Sequence, residues 1–200
     1  MTPERKTRIQ QVAARRQPDL SVFMERVHKP HNVAAVLRTC DAVGVMRAHA
    51  VPGSDGIPKL NHTSQGAQRW VELVRHRDTP SGLELLREQG FTIYAAHFSD
   101  QAVDFRQPDY TQPTVIVLGT EKFGVSDEAL ALIDQQIIIP MAGMAQSLNV
   151  SVATALVLYE AQRQRQAAGM YEPKSLDESP WKELAEGWIQ RDLDRYKKNG

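Results

Sequence analysis

Two polar side chains in the segment KPHNVAAVLRTCDAVG have the type and placement that binding or chemistry would need. The segment predicts a helix over residues 31–43 that ends at Gly44. At about 100° per residue the apolar side chains fall on one stripe, and Arg38 lies on the opposite side among alanines that let a second surface approach. Asn32 stands in the first turn, where its amide can reach past the helix end. The pattern is compatible with a site, although a lone arginine on a helix is usually a surface residue.

A second candidate segment, LGTEKFG at residues 118–124, follows the apolar run TVIVL, which predicts a buried parallel strand. Ser126 and the acidic residues after it predict that a helix begins beyond the loop. A dinucleotide-binding loop would look similar, but it needs glycine where Glu121 stands, because a carboxylate there repels a pyrophosphate. A nicotinamide-dependent dehydrogenase is therefore disfavoured. The sequence also lacks a Walker-type phosphate loop, a G-x-S-x-G elbow and any metal-ligand spacing.

The third candidate segment, residues 137–159, combines a strand, a loop of small residues and an apolar helix. Three consecutive isoleucines predict a strand that is covered on both faces, and Pro140 ends it. Ser147 is the predicted N-cap of the following helix. From residue 150 to residue 159 only Ser151 and Thr154 interrupt the apolar run. This helix should therefore be covered on every side, by its own domain or by a second subunit.

The elements that must position these segments fit one α/β domain. Two hundred residues with 42% hydrophobic content suffice for one full core. Predicted strands at residues 20–27, 45–51, 71–74, 91–97, 114–118 and 137–139 alternate with helices along the chain. Residues 59–68 predict a surface loop or a ligand-facing loop. The single cysteine, Cys40, is expected in the core, and without a disulfide framework or a secretory signal the protein is expected in the cytoplasm, with no membrane partner.

Charge is unevenly distributed although the formal net charge is zero. Residues 1–40 hold eight basic and three acidic side chains. Thr2, Pro3 and Glu4 predict a helix start, and residues 5–17 should expose the basic side chains Arg5, Lys6, Arg8, Arg15 and Arg16. Such an arm favours a polyanionic partner, with a solvated helix face as the alternative. At the other end, residues 181–198 predict an amphipathic helix that docks on the domain or contacts RNA or a partner subunit.

Taken together, three segments resemble the motifs of the SpoU branch of the SPOUT RNA methyltransferases. They are the N-x5-R spacing of Asn32 and Arg38, the LGTEKFG loop, and IPMAGMAQSLNVSVA at residues 139–153. The resemblance covers roughly residues 20–160. The basic N-terminal helix and the helical C-terminal tail further resemble the tRNA guanosine 2′-O-methyltransferases of this branch.

The resemblance implies an α/β fold with a parallel sheet, helices on both faces and a deep trefoil knot at about residues 115–160. Flanking helices would complete it, with residues 1–18 as a basic N-terminal helix, 19–168 as the methyltransferase domain and 169–200 as a C-terminal extension. Periodicity could not have predicted a knot, since true knots are nearly absent from proteins. The resemblance also implies a homodimer with the active site near the subunit interface.

The resemblance further implies S-adenosylmethionine as cofactor, no metal, and three groups of site residues. Residues expected to cradle the cofactor are Leu118, Gly119, Thr120, Glu121, Ile139, Met141, Gly143, Met144, Ser147, Leu148 and Asn149. The family's catalytic set carries over onto Arg38, Asn32, Glu121, Ser147 and Asn149. Expected contacts to RNA phosphates, stated as a hypothesis, are Arg5, Arg8, Arg15, Arg16, His31, Arg163 and Arg165.

The implied reaction is 2′-O-methylation of a ribose in RNA, with the D-loop guanosine at tRNA position 18 as the expected target. Arg38 would either accept the hydroxyl proton transiently or hold phosphate and ribose while the proton leaves to water or phosphate. A guanidinium with a pKa above about 12 is a poor base, so both roles stay open. Glu121 would orient Arg38 or Asn32. Alternatives are a ribosomal RNA substrate for the same chemistry, or an RNA-binding module without catalysis.

Overall fold

The computed structural model describes residues 1–53, 67–120 and 123–199, and a parallel sheet of seven described strands lies at its centre. In chain order the strands are β1 (Leu20–Glu25), β2 (Arg47–Val51), β3 (Glu72–Arg75), β4 (Thr92–Ala96), β5 (Val103–Asp104), β6 (Thr114–Leu118) and β7 (Gln135–Ile138). Their order across the sheet is β3-β2-β1-β6-β4-β7-β5, and every neighbouring pair is parallel. The strand β6 lies between β1 and β4. Because all pairs are parallel, the carboxyl ends of the seven described strands lie at one edge.

Helices cover both faces of this sheet. The helices of the chain are α1 (Pro3–Ala13), α2 (Pro30–Ala42), α3 (Thr79–Glu88), the short α4 (Asp127–Leu130), α5 (Val150–Ala167) and α6 (Trp181–Asn199), of which α2, α3, α4 and α5 pack on the sheet. One core joins α2 and α5 to alternate residues of β1 such as Val22 and Met24. A second core joins α3 and α4 to Phe23 on the opposite face. The α/β class with helices on both faces is therefore confirmed, and it follows from the period-2 alternation of side chains along each strand.

Several predicted elements have the expected bounds and the expected starts. The strand TVIVL begins and ends at the predicted residues and is buried throughout. The side chain of Thr2 caps α1 by accepting from Arg5 N, and that of Ser126 caps α4 by accepting from Ala129 N. The first predicted strand is shorter than expected, because Arg26 adopts a positive φ of 53° after Glu25. The two-residue strand β5 was not predicted and lies in the polar connector at residues 99–112.

The start of α5 corrects one prediction. Asn149, not Ser147, is the N-cap, and its side chain accepts a hydrogen bond from Ser151 N at 2.8 Å. The helix runs for 18 residues without a break, and one stripe of its apolar half is exposed: Val152, Leu156 and Tyr159 are 47%, 41% and 52% accessible. Within one chain this helix is therefore not covered on every side.

The two terminal helices pack against each other at the amino side of the molecule. Ile9 and Ala13 of α1 are buried with Ala185 and Trp188 of α6 in a small separate core. The final helix thus docks on the chain's own first helix. The trefoil knot and the division at residues 18 and 168 stay predictions. Among the described residues, no helix is both long and apolar enough to cross a membrane.

Candidate active site

A cleft of ≈ 860 Å³ opens at the carboxyl ends of β4 and β7. Residues 96–98 form one wall, residues 137–139 line the base, and the loop at 141–148 closes the other side. Ala153 and Val157 of α5 complete the lining. In open parallel sheets ligands bind at this edge, and small-molecule sites typically span about 300–1,000 Å³. The cleft therefore has the position and the size of a site for a nucleoside-sized ligand.

Six of the predicted cofactor-binding residues line this cleft, namely Ile139, Met141, Gly143, Met144, Ser147 and Leu148. Most of the loop is exposed, and the side chain of Met144 is almost fully so. Among the described residues, no amide of residues 141–148 donates a backbone-to-backbone hydrogen bond. Backbone donors and acceptors of the loop are thus available to recognise a polar ligand.

The loop after β6 is closed tightly beside the cleft. Thr120 and Gly124 exchange two backbone hydrogen bonds of 2.9 Å each. A Cβ on Gly119 would come within 2.0 Å of the carbonyl carbon of Gly124, so only glycine fits that position. His97, which lines the cleft, lies 3.9 Å from the place that a Cβ on Gly124 would take. Three further residues that were predicted to bind the cofactor, Leu118, Gly119 and Thr120, are not among the described residues that line the cleft. Leu118 is buried at the end of β6.

The starts of α2 and α5 are joined directly through two predicted site residues. Asn149 donates from Nδ2 to Oδ1 of Asn32 at 3.2 Å. The other side-chain atom, Oδ1 of Asn149, accepts from the amide and the hydroxyl of Ser151 at 2.8 and 2.6 Å. Asn32 is buried, with only 1% of its surface accessible. Residues 117 positions apart in the sequence thus form one rigid polar junction beside the loop at 141–148.

Arg38 lies apart from that junction. Arg38 lies six residues after Asn32 on the same helix. Its side chain is exposed and is not among the described residues that line the cleft. A separation of six residues corresponds to about 240° around the helix and about 9 Å along it, which explains the difference. Glu121 lies outside the described residues, as do residues 59–66 of the predicted loop. One chain therefore brings Asn32, Ser147 and Asn149 to one edge and leaves Arg38 on an outer face.

Comparison with known protein families agrees with this arrangement of loops. A sequence profile described as the SpoU rRNA Methylase family matches residues 19–159, which is more than half of the chain. The chain belongs to this family. The matched range begins just before β1 and ends in the apolar half of α5, so it contains every SpoU motif described above.

Similar proteins extend the likeness over nearly the whole chain. A tRNA (guanosine(18)-2′-O)-methyltransferase from Thermus thermophilus is 53% identical over 190 residues, covering 95% of this chain and 98% of the relative. The crystal structure of the TrmH/SpoU tRNA modifying enzyme of Aquifex aeolicus superposes with a TM-score of 0.88 at 43% identity, covering 95% and 97% of the two chains. The SpoU methyltransferase AviRb of Streptomyces viridochromogenes, solved with the cofactor AdoMet, has a TM-score of 0.68 at 28% identity over 76% of this chain and 62% of that one.

Two arginines of this SpoU protein that were predicted to contact RNA phosphates, Arg16 and Arg165, are buried, which corrects the predicted exposure of Arg16 and argues against a phosphate contact for either. Arg16 is 1% accessible, forms an ion pair with Asp41, and stacks over the ring of Trp188 at 5.0 Å. The predicted helix ends before it, at Ala13, so its side chain turns inward. Arg165 is fully buried and donates to the backbone carbonyls of residues 19, 110 and 112 and to two side chains. Neither guanidinium is free to meet a phosphate.

The remaining predicted RNA contacts lie at the surface. Arg8, Arg15 and His31 are exposed, and Arg163 is exposed and paired with Glu160. Arg5 is half-buried, bonded to Asp192 at 3.1 and 3.2 Å and placed 5.4 Å above the ring of Trp70. Two shallow cavities of ≈ 190 and ≈ 310 Å³ flank the edge-to-face pair Trp70–Trp188. Their basic lining includes three arginines that the sequence analysis did not assign: Arg69, Arg191 and Arg195.

One wall of the cleft was also missed by the sequence analysis. Ala96 ends β4, His97 and Phe98 follow it directly, and Phe98 is 77% accessible. The signal that could have found them is positional, because these residues end a strand whose neighbour β6 leads into a predicted loop of the site. Cys40, by contrast, is buried as predicted, and burial raises the pKa of its thiol to about 12. A thiol held in that state is a poor nucleophile at neutral pH.

Proposed function

We propose that this protein is an S-adenosylmethionine-dependent methyltransferase that methylates the ribose 2′-OH of the guanosine at position 18 in the tRNA D-loop. The observation that carries the proposal is the 53% identity to the Thermus thermophilus enzyme of that activity over 98% of its length. A match over nearly the full length of both chains leaves little room for an inserted or deleted segment in this protein that would change its substrate. A cytoplasmic location would follow from a tRNA substrate.

The cleft at β4 and β7 fits the proposed cofactor. It offers apolar residues such as Ile139 and Leu148 for an adenine ring, and the loop at 141–148, whose amides make no backbone pairs among the described residues, for its polar edge. The close contact at Gly119 keeps the neighbouring loop compact, so that backbone rather than side chain faces this region. When bound, S-adenosylmethionine supplies a methyl group that is attached to a sulfonium sulfur, and loss of the methyl group converts that sulfonium into a neutral thioether.

The chain's own residues then have to position the ribose and manage one proton. Methyl transfer would join the 2′-oxygen to the methyl carbon that S-adenosylmethionine supplies, with the thioether as leaving group, and the hydroxyl proton would have to pass to a base, a phosphate or water. The Asn32–Asn149 junction would hold the loop at 141–148 and present an amide to the ribose. Arg38 would accept the proton transiently or hold phosphate and ribose. Glu121 would orient Arg38 or Asn32.

A second copy of the chain would complete the site and form the proposed homodimer. Val152, Leu156 and Tyr159 are spaced four and three residues apart on one face of α5, and all three are exposed. Phe98, Phe123 and Met144 add exposed apolar surface at the carboxyl edge of the sheet. A patch of this kind marks an interaction surface. Because Arg38 lies outside the cleft of its own chain, it would act on the ribose bound by the partner.

The dimer proposal is tested by mass in solution. Sedimentation at micromolar concentration should give twice the chain mass of 22.4 kDa. Leu156→Glu should shift the protein to monomers, because it places a charge in the apolar stripe, whereas Leu85→Glu alters an exposed leucine on α3 and should leave the dimer intact. A wild-type monomer would exclude the proposal.

Phosphate contacts of the bound tRNA are proposed along α1 and beside α6. Arg8 and Arg15 are exposed on or after α1, and Arg69, Arg191 and Arg195 are exposed around the two tryptophans. Cations that neutralise phosphates release counterions, so binding should weaken steeply with salt. Replacement of both Arg8 and Arg15 by alanine leaves the packing of α1 on α6 in place and should reduce that salt dependence, and an unchanged slope would contradict the proposed arm.

The decisive experiment is methyl transfer from labelled S-adenosylmethionine to an unmodified tRNA transcript, beside ribosomal RNA, with wild type and Arg38→Ala. A product that resists alkaline cleavage at position 18, and is lost in Arg38→Ala, supports reaction, target and residue together. Label only in ribosomal RNA would favour the second candidate, a ribosomal RNA methyltransferase, which the description of the matching family makes the main alternative. Cofactor binding without label in either RNA would favour an RNA-binding module without catalysis.

A further inference from the structure

A buried carboxylate at the end of β1 lies outside every motif discussed so far. Glu25 is 1% accessible, and it is the last residue of the strand. Its Oε1 accepts from the hydroxyls of Thr79 and Ser126 at 2.9 and 2.6 Å, and its Oε2 accepts from Ser126 N at 2.9 Å. A carboxylate is costly to bury, and three good hydrogen bonds are the kind of compensation that makes burial tolerable.

These bonds fix the far end of the loop that follows β6. Ser126 is held both by its backbone and by its hydroxyl, and that hydroxyl also caps α4 through Ala129 N at 3.2 Å. The near end of the loop is fixed by strand pairing, since Leu118 is in register with Met24, the residue just before Glu25. Two consecutive residues of β1 therefore hold the two ends of residues 118–126.

The segment between these two anchor points borders the cleft. It is closed by the paired bonds between Thr120 and Gly124, and Gly124 approaches His97 in the cleft wall. It also carries Glu121, which lies outside the described residues. The backbone of Val125 packs directly on Gly119, since a Cβ added to Gly119 would lie only 2.2 Å from Val125 N. A shift of Ser126 would therefore move Val125 and Gly124 as well.

We propose that Glu25 is a positioning residue for methyl transfer, which holds the described parts of the loop, residues 118–120 and 123–126, in the conformation that binds the cofactor. The part of this inference that concerns methyl transfer to RNA rests on the proposed function. The part that concerns affinity for the cofactor does not depend on the RNA substrate. Thr79 gives the carboxylate a second connection, to the start of α3. The two arms of the cluster can therefore be separated, since the Ser126 arm leads to the loop and the Thr79 arm leads away from it.

The test compares Glu25→Met, which removes every acceptor, with Glu25→Gln, which keeps one acceptor oxygen. Calorimetric titration with S-adenosylhomocysteine and steady-state kinetics with a tRNA transcript are measured beside thermal unfolding. Glu25→Met should weaken S-adenosylhomocysteine and raise KM for S-adenosylmethionine by about tenfold, the effect of one lost charge-assisted bond. Glu25→Gln should recover most of that affinity.

Three variants separate positioning from folding. Ser126→Ala should weaken the cofactor in the same sense as Glu25→Met, whereas Thr79→Val should lower the melting temperature with little change in KM. Asp134→Asn is the matched control, since Asp134 also accepts a backbone N–H, that of Ile93 at 2.8 Å, but at the amino end of β4. If Glu25→Met does not fold, Glu25→Gln against Ser126→Ala and Thr79→Val still decides.

The proposal is overturned if the Glu25 and Ser126 variants lower the melting temperature while S-adenosylhomocysteine binds them as tightly as wild type. It is also overturned if Thr79→Val and Asp134→Asn weaken the cofactor as much as Ser126→Ala does. A wild type that binds S-adenosylhomocysteine but methylates neither RNA would contradict the proposed function alone. In that case the affinity series would still decide on Glu25.

Discussion

The amino and carboxyl edges of the sheet are built in opposite ways. At the amino edge, Arg165 is fully buried and donates to Tyr110 O, to Gln112 O, and to both the carbonyl and the carboxylate of Asp19. Gln17 accepts a further bond, so α5 is fixed to the starts of β1 and β6. At the carboxyl edge, the strands end in a cleft of ≈ 860 Å³ with exposed side chains around it.

The difference teaches that one edge holds the fold together while the other is left open for ligands. At the amino edge each nitrogen of the buried Arg165 guanidinium has an acceptor within the chain, an arrangement that is expensive to disturb. The carboxyl edge instead leaves amides of the loop at 141–148 without backbone partners among the described residues. Two arginines illustrate the contrast: Arg165 is enclosed at the sealed edge, whereas Arg38 is exposed on α2.

The largest expected effect is on stability at the amino edge. Arg165→Met keeps the length of the side chain but removes all five donors, so unfolding free energy measured in urea should fall by about 3–5 kcal/mol. Arg163→Met is the control two residues away, where the side chain is 67% exposed and paired with Glu160. That change should cost about 1 kcal/mol or less. Equal losses in the two variants would show that the amino edge is not the stabilising one.

For Arg38, on the outer face of α2, the expected effect is on catalysis. Arg38→Ala should lower kcat for methyl transfer by about 10²-fold or more, the typical contribution of a group that manages a proton. Because the side chain is exposed, unfolding free energy should change by only about 0.5 kcal/mol. Arg38→Lys keeps the charge without the planar fork, and it should recover activity only in part. Full activity in Arg38→Ala would remove Arg38 from the proposed mechanism.

A pair of histidines beneath α3 predicts a smaller, pH-dependent effect. His49 Nδ1 lies 2.8 Å from His76 Nε2, and burial, then the neighbouring His76 and Arg47, lowers the pKa of His49 to about 4. Since the unfolded chain binds a proton near pH 6.5 and the folded chain does not, the contribution is present above that pH and is lost as the pH falls toward 4. The loss should be on the order of 1–3 kcal/mol.

Urea unfolding at about pH 7.5 and about pH 5, on either side of the ordinary histidine pKa, measures this effect. His49→Gln does not titrate, so it should lose less stability than wild type between those two pH values. Carboxylates with depressed pKa, such as Asp78, which is bonded to Ser81 and Arg77, act in the same direction and are common to both proteins. An identical pH dependence in the two proteins would show that His49 is not protonated differently on folding.

Local signals in the sequence predicted much of the fold. The apolar run TVIVL, the capping residues Thr2 and Ser126, and the alternation of strands with helices were enough for the elements and the α/β class. Strand order was not available from alternation, because β6 pairs with β1 across more than 90 residues of chain. The family and the main loops of the site followed from the motifs, which are short and continuous.

Long-range partners explain what the sequence analysis missed. Nothing local distinguishes Arg165 from Arg163, since the partners that bury it, such as Gln17 and Asp19, lie almost 150 residues away. The same holds for Glu25. An acidic residue at the end of a strand is predicted to be exposed from the sequence, and only the folded chain brings Thr79 and Ser126 to it. Position in the fold, rather than residue type, separates buried anchors from surface charges.

The smallest expected effect concerns the N-cap of α5, where the predicted residue and the observed one lie two positions apart. Asn149→Ala should cost about 1 kcal/mol in thermal or urea unfolding, because Ser151 N loses its acceptor, whereas Ser147→Ala should cost close to nothing. Asn149→Ser keeps a capping oxygen but loses the amide that donates to Asn32, so it should restore the capping contribution to stability without restoring methyl transfer. Recovery of both properties in Asn149→Ser would mean that Asn149 serves the helix alone, and that the open edge depends on its loops rather than on the Asn32–Asn149 junction.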